Sequence, residues 1–261
     1  MQNLGILGVG DITEKTVRGL RRSGFDKSIL LSPRNHERAA QLAADCDCQV
    51  MANNQKVVDS ADWLIIGVRP GDLPGLAAEL VIPAGKTIVS LAAGVSLDAL
   101  QRHFPTARCI RAMLSGAAQF NQSTVVICPP DSTCEQLLLA LGKIVVFQDE
   151  PDFELATVAA CMNGWFYFFL YDLQQWLVEK GLPSDSARGL VLGNMQDCIA
   201  TARHHPAIDL KTLGQAIATP GTYTADGLEM LNHLQANAHW GAACEIVLEA
   251  LMTNSISPSN F

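Results

Sequence analysis

Gly8-Val9-Gly10 follows the apolar run Asn3 to Leu7 without a break. Asp11 and Ile12 then open a segment that carries Val17, Leu20 and Phe25 at near-helical spacing. This order of strand, glycine turn and helix suits the pyrophosphate of a dinucleotide. The first glycine permits the tight turn, the second lets the phosphates approach the backbone, and the free N–H groups at Asp11 and Ile12 face the anion. Thr13 takes the third small position, where Gly or Ala usually lets helix and strand pack closely. The next apolar run, Ser28 to Leu31, ends in Ser32-Pro33-Arg34-Asn35. An Asp or Glu there would accept hydrogen bonds from a ribose 2′-hydroxyl, and this strand end holds neither. The hydroxyl of Ser32 and the guanidinium of Arg34 suit a 2′-phosphate instead, so the expected cofactor is NADPH, with NADP preferred over NAD. The competing reading of Arg34 is a solvated charge at the start of a helix.

Two later strand ends add to this set. Trp63 to Val68 is a continuous apolar run that ends in Arg69-Pro70-Gly71-Asp72, and Thr87 to Leu91 ends in Ala92-Ala93-Gly94-Val95. Ligands of open parallel sheets bind beyond the carboxyl ends of the strands, which puts Arg69 where a cofactor phosphate or ribose sits; a surface charge capping a helix is the alternative. The small residues Ala92, Ala93 and Gly94 let backbone and cofactor come close. Much further along, Thr219-Pro220-Gly221-Thr222-Tyr223-Thr224 separates two helical segments. Free N–H groups at a helix start near Tyr223 form an anion site, and the hydroxyls of Thr219 and Thr224 can aim at a reacting nitrogen or a carboxylate. An ordinary threonine N-cap is the plainer account of the same residues.

Composition bounds the alternatives. The chain has 261 residues and 28.1 kDa, with 49% hydrophobic and 17% charged residues, which argues against disorder and for extensive helix-on-helix burial. A net charge of -8 argues against a nucleic-acid partner, because no basic stripe is available to neutralise phosphates. The 8 cysteines are scattered without a C-x-x-C pair, and Cys46-Asp47-Cys48 lacks further ligands nearby, so no metal is expected. Free thiols point to a reducing, cytoplasmic setting. No apolar run reaches the length of a membrane span and the chain opens directly on a strand, so neither membrane insertion nor export is expected. The pair His204-His205 closes a helix before Pro206, and the histidines are read as structural.

The elements that must position these residues alternate between strand and helix as far as Asp149. The strands are expected at Asn3 to Leu7, Ser28 to Leu31, Gln49-Val50, Trp63 to Val68, Thr87 to Leu91, Arg108 to Met113, Thr124 to Cys128 and Ile144 to Phe147. A loop of small residues, Ser115 to Ala118, follows the sixth of them, and a helix from Cys134 to Leu141 separates the last two. From Pro151 onward the pattern is helical only, at Asp152 to Lys180, Ser184 to His204, Leu210 to Ala218, Thr224 to Ala236 and His239 to Met252. The expected architecture is therefore α/β, an N-terminal Rossmann dinucleotide-binding domain over residues 1–150 followed by an all-helical domain over 151–261. Trp165, Phe166, Tyr167, Phe168, Phe169, Tyr171 and Trp176 crowd one helix with more aromatic surface than a single face buries, which suggests a subunit interface or a pocket wall.

The chain resembles the pyrroline-5-carboxylate reductase family over essentially its whole length, through Gly8-Val9-Gly10, Ser32-Pro33-Arg34, Val68-Arg69-Pro70, Ser90 to Ser96 and Thr219 to Leu228. The resemblance implies NAD(P)H held by the Rossmann domain, with Val68 and Pro70 joining the cofactor-binding residues. It also implies a helical dimerisation domain, hence a homodimer or a larger homo-oligomer, and hydride transfer to the carbon of a cyclic imine, giving proline. A protonated imine already carries the charge that draws hydride, so orientation and hydroxyl groups suffice. Thr224 stands where the family places the threonine beside the substrate nitrogen, Thr219 replaces its serine, and Arg69 replaces its lysine. The implied substrate-binding positions are Ser115, Asn163, Gly164, Trp165, Gly221, Thr222, Tyr223 and Thr224.

Departures from the family pattern fall on that substrate side. A stretch reading approximately S-G-S-G-P-A-Y in the family is Cys161-Met162-Asn163-Gly164-Trp165-Phe166-Tyr167 here, the loop P-N-T-P becomes Leu114-Ser115-Gly116-Ala117, and Thr222 stands in for a glycine, so that the backbone donors must reorient if that glycine needs a positive φ. Three alternatives therefore accompany pyrroline-5-carboxylate as the default substrate. One is a different imine with a larger or more apolar body, and another is a non-catalytic NADPH-binding relative. The third is a carbonyl reductase of the hydroxyacid-dehydrogenase type, disfavoured because no lysine lies between Pro151 and Glu179 to donate a proton to an alkoxide.

Overall fold

The computed structural model describes residues 3–256. In chain order, β1 (Asn3–Leu7), α1 (Asp11–Arg22), β2 (Ser28–Leu31), α2 (His36–Cys46), β3 (Gln49–Val50), α3 (Asn54–Ser60) and β4 (Trp63–Ile66) come first. Then follow α4 (Leu73–Ala78), β5 (Thr87–Ser90), α5 (Leu97–His103), β6 (Arg108–Met113), β7 (Ser123–Cys128), α6 (Ser132–Leu139) and β8 (Gly142–Val146). They build one 8-stranded sheet in the order β3-β2-β1-β4-β5-β6-β7-β8, parallel throughout except where β7 runs antiparallel to β6. Helices cover both faces, so the strands bury both and read as continuous apolar runs. Alternate residues divide accordingly: Ile6, Ile65, Val89 and Ile110 enter one core, and Leu7, Leu64, Ile66 and Ile88 the other.

The Rossmann-type half thus forms as expected, with small shifts of boundary. The anticipated loop at Ser115 to Ala118 is instead a 3-10 turn over Gly116–Phe120, because the Ser115 hydroxyl accepts the Ala117 N–H at 3.3 Å and caps it. Helix α6 starts at Ser132 rather than Cys134, since the Asp131 carboxylate accepts the Cys134 N–H at 2.8 Å and sets the N-cap two residues earlier. Strand β8 starts at Gly142, whose φ of +149° lets it lie against Ser123 at the start of β7.

The remaining chain is helical: α7 (Glu150–Glu179), α8 (Ser184–His204), α9 (Leu210–Ile217), α10 (Tyr223–His233) and α11 (Ala236–Ile256). Gln235, at φ +52°, breaks the helix between α10 and α11, so α11 begins ahead of the expected His239. Two compact units result, one reaching Ala160 and resuming at Leu248, the other spanning Cys161–Val247; α7 and α11 each run from one into the other. Helix α7 is long and apolar enough to cross a membrane by length and composition, contrary to the expectation that no run reaches that length. Its interior polar residues, such as Asn163 and Asp172, interrupt any unbroken apolar run without lowering the average enough to exclude it.

In the first unit, the start of α7 buries Phe153, Glu154, Thr157 and Val158. In the second, Ala187 is the only fully buried residue among those described, while Tyr167, Phe168 and Tyr223 are 71%, 73% and 96% exposed. Trp240 of α11 packs against Trp165, Phe166 and Phe169 of α7 with ring centroids 5.6 to 6.2 Å apart. An apolar groove of about 480 Å³ runs between α7 and α8, lined among others by Phe169, Trp176, Leu190 and Met195.

A Cβ placed on Gly142 would stand 2.0 Å from the Ser123 carbonyl oxygen, at a φ that side chains rarely adopt. Gly142→Ala is therefore expected to destabilise the fold by about 2–4 kcal/mol, read as a lower midpoint in urea-induced unfolding.

Candidate functional site

The sheet order reverses between β1 and β4, because the chain leaves β1 toward β2 and β3 and then returns to the other side of β1. Crevices at such reversals, beyond the carboxyl ends of the strands, are where α/β sheets take ligands. Gly8-Val9-Gly10 leaves β1 at this point, with Gly67, Val68 and Arg69 leaving β4 beside it. Gly8 has φ +91°, and a Cβ on it would meet Val68 Cγ1 at 2.6 Å, so only glycine fits. Gly10 is different: a Cβ there would meet only the Gly67 carbonyl oxygen at 3.7 Å, an ordinary contact. The space above Gly10 is open to a ligand, and the fold alone does not demand glycine there.

Thr13 is fully buried and organises the turn. Its hydroxyl accepts the Gly10 N–H at 2.8 Å and donates toward the carbonyls of Gly8 at 2.9 Å and Gly10 at 3.1 Å. The close packing expected of a small residue at position 13 is supplied by Gly67, where a Cβ would fall 2.1 Å from Thr13 Cγ2. Asp11 and Ile12, in the first turn of α1, keep N–H groups that have no partner within the helix, and the helix dipole adds positive potential there. The Asp11 carboxylate turns to Lys15 at 2.7 Å, one turn along.

Ser32 is wholly buried, and its hydroxyl accepts the Gly8 N–H at 2.9 Å, tying the end of β2 to the glycine turn. Arg34 is 62% exposed and pairs with Asp72 at 3.1 Å. Exposed pairs of this kind are worth only about 0–1 kcal/mol, so a phosphate dianion readily competes for the guanidinium. Arg69 is exposed and carries no ion pair among the described residues; Val68 and Pro70 beside it are half-buried. Asn35, which sequence reasoning left aside, reaches the Val9 carbonyl with its Nδ2 at 3.3 Å while capping α2. An Asn directly before a helical segment signals the cap, but nothing in the sequence signals its reach across to Val9.

At the end of β5, Ala92 is buried, its N–H bonded to Ser90 Oγ at 3.3 Å. Ala93 is exposed and Gly94 turns at φ +70°. Ser115 serves its own unit: its N–H bonds Ser123 Oγ at 2.9 Å and its hydroxyl lies 3.3 Å from the same atom. Gly8, Gly10, Asp11, Ile12, Ser32, Arg34, Val68, Arg69, Pro70, Ala92, Ala93 and Gly94 thus cluster at the carboxyl ends of neighbouring strands.

In the second unit, Asn163 and Gly164 lie exposed on α7, with Trp165 against Trp240. Thr219-Pro220-Gly221-Thr222 forms a type II turn, with proline second, glycine third at φ +85°, and the Thr222 N–H bonded to the Thr219 carbonyl at 3.1 Å. Thr222 itself has φ -100°, so it carries no strain in replacing a glycine. It is the N-cap of α10, its hydroxyl accepting the Ala225 N–H at 3.2 Å and donating to the Thr219 carbonyl at 2.8 Å. The hydroxyls of Thr219 and Thr224 have no partner among the described residues and are exposed, as is Tyr223. Thiolate chemistry is disfavoured at Cys134, whose thiol burial pushes up to about 12, and at Cys48 and Cys109, pushed up to about 11.

Residues 3–94 match a family described as NADP oxidoreductase, coenzyme F420-dependent, and residues 151–251 match pyrroline-5-carboxylate reductase dimerisation. A pyrroline-5-carboxylate reductase of Haemophilus influenzae is 24% identical over 97% of this chain and 96% of its own length. The crystal structure of the 1-pyrroline-5-carboxylate reductase of Streptococcus pyogenes superposes with TM-score 0.83 at 23% identity, covering 96% of this chain and 98% of that one. That of Plasmodium falciparum pyrroline carboxylate reductase with NADP bound gives 0.82 at 16% identity, covering 98% and 100%.

The contact between Thr13 and Gly67 yields a paired expectation. Gly67→Ala is expected to cost about 1–3 kcal/mol through the clash with the threonine methyl. Adding Thr13→Ser, which deletes the methyl and keeps the hydroxyl, is expected to restore most of that loss in thermal unfolding.

Proposed function

The chain belongs to the pyrroline-5-carboxylate reductase family and is an NAD(P)H-dependent oxidoreductase of that type, and from this premise we propose that it reduces the C=N bond of a small cyclic imine with NADPH. The default substrate is 1-pyrroline-5-carboxylate, giving L-proline. The observation that carries the reading is the Thr219 to Thr224 turn, which leads into the start of α10 and carries two exposed hydroxyls, those of Thr219 and Thr224, without a partner among the described residues. Such a turn binds the carboxylate of an imino acid and orients its nitrogen without a metal or a strong acid.

The residues at the strand ends fit a dinucleotide. Gly10 leaves room for phosphate, α1 presents its first N–H groups to it, and Arg34 and Arg69 supply charge for a 2′-phosphate. The nicotinamide, when bound, supplies the hydride. The protein then has to hold the imine with its carbon toward that hydride, and Thr224 is assigned the hydrogen bond to the substrate nitrogen, with Thr219 on the carboxylate. The iminium proton stays on nitrogen, so the product amine forms without a further proton donor.

The second unit supports self-association into a homodimer. A domain that fully buries Ala187 alone among its described residues and exposes Tyr167, Phe168, Trp176 and Met230 needs another surface for them. Its match to a dimerisation family agrees with this. A cytoplasmic location is proposed from the free cysteines.

Steady-state oxidation of NADPH with pyrroline-5-carboxylate and a panel of bulkier cyclic imines tests the reading. Thr224→Ala is expected to lower kcat/KM by about tenfold or more. Arg34→Ala is expected to raise the KM for NADPH by about tenfold while leaving that for NADH unchanged. Turnover of a bulkier imine alone would move the substrate assignment to that compound. NADPH binding without turnover of any imine would replace this proposal with a non-catalytic cofactor-binding role.

A further inference from the structure

Arg111 occupies the middle of the apolar strand β6, flanked in register by Ser90 of β5 and Cys128 of β7. It is 1% exposed. Its Nη1 donates to Glu150 Oε1 at 2.7 Å and to Glu154 Oε1 at 2.6 Å, and its guanidinium lies 4.4 Å from the centre of the Phe153 ring. Arg111 Nε and Nη2 and Glu154 Oε2 are buried without a hydrogen-bond partner among the described residues. A buried cation between two carboxylates with donors left unsatisfied is a poor source of stability, since apolar replacements of such clusters are often neutral or stabilising. Holding the fold together is therefore a weak account of it.

Its position offers a better account. The same Glu150 Oε1 that takes Arg111 also accepts the backbone N–H of Leu97 at 2.7 Å. Leu97 is the first residue of α5 and ends the loop that leaves β5 through Ala92, Ala93 and Gly94. The near end of that loop is fixed by Leu91 N–H on the Ile66 carbonyl at 2.8 Å and by Ala92 N–H on Ser90 Oγ at 3.3 Å. Glu150 fixes the far end. An acceptor on the first turn of a helix has rotational freedom unless something holds it, and here Arg111, locked by Glu154 and Phe153, does so.

We propose that Glu150, oriented by Arg111, is a positioning residue for cofactor binding: by holding the Leu97 N–H it sets the backbone of Ala92-Ala93-Gly94 in the conformation that receives NADPH. This rests on the assignment of that loop to the cofactor. Two variants remove the bond from opposite ends. Glu150→Ala deletes the acceptor. Leu97→Pro deletes the donor, keeps the charged cluster whole, and places proline at the first helical position, which tolerates it; Ser96, at φ -71° and ψ 159°, already has the conformation that a residue before proline prefers.

Fluorescence titration with NADPH is expected to give a Kd raised by about tenfold in each variant, and by no more in the double variant, because the Leu97 N–H bond to Glu150 is the one interaction that both variants remove. With NADPH saturating, kcat and the KM for the imine are expected to stay at wild-type values, which a general loss of folded protein would not produce. If Glu150→Ala fails to fold, Leu97→Pro decides alone. A Leu97→Pro Kd within about twofold of wild type overturns the proposal. A wild-type protein that does not bind NADPH at all overturns the cofactor assignment first, and this inference with it.

Discussion

Thr13 presses its methyl into the space left by Gly67 and gives its hydroxyl to both glycines of the turn, and the crevice at the strand ends is built outward from that contact. It brings the start of α1 onto the end of β4 at the place where the sheet order reverses. Ser32 then secures the Gly8 N–H from β2, and Asn35 secures the Val9 carbonyl from the start of α2. With these groups satisfied inside the protein, the first turn of α1 still presents N–H groups that have no partner within the helix. An anion there meets a backbone already in position, with little reorganisation left to oppose binding.

The two halves of the chain are stabilised in different ways. The sheet buries both faces beneath helices, and its core residues divide by alternation into two continuous clusters. The helical unit buries almost nothing fully. Its aromatic rings gather on Trp240 or stand in solvent, which is the surface expected of a domain whose burial is completed by another chain. Helix α7 bridges these regimes, beginning with Phe153 and Val158 in the core of the first unit and continuing with Phe166 to Tyr171 largely exposed.

Replacement of small residues by large ones near Asn163 and Gly164 also looks different once the packing is known. Trp165 and Phe166 share Trp240 as a partner, so part of their bulk serves contact between α7 and α11. Gly164 has no atom within 4 Å of where a Cβ would stand, so the helix keeps an open face beside the rings. An open helix face beside aromatic rings is compatible with a proline-forming enzyme and with one that takes a bulkier imine.

Strand and helix order, the glycine turn, the missing acid after β2 and the switch to an all-helical second half were legible from residue type and spacing, because period, turn chemistry and capping are local properties of the chain. The type II turn at Thr219 to Thr222 was legible as Pro-Gly, and only its φ values showed that Thr222 inherits no strain. What spacing could not show were partnerships between residues distant in sequence. Ser32 read as a phosphate ligand and proved to be a buried support for Gly8. Thr13 read as an oversized residue and proved to fit because Gly67 makes room. The cluster of Arg111, Glu150 and Glu154 left no trace in any local pattern, since a buried ion group is defined by which strand and which helix start the fold brings together. Periodicity decides which face of an element is apolar, and packing decides what that face meets.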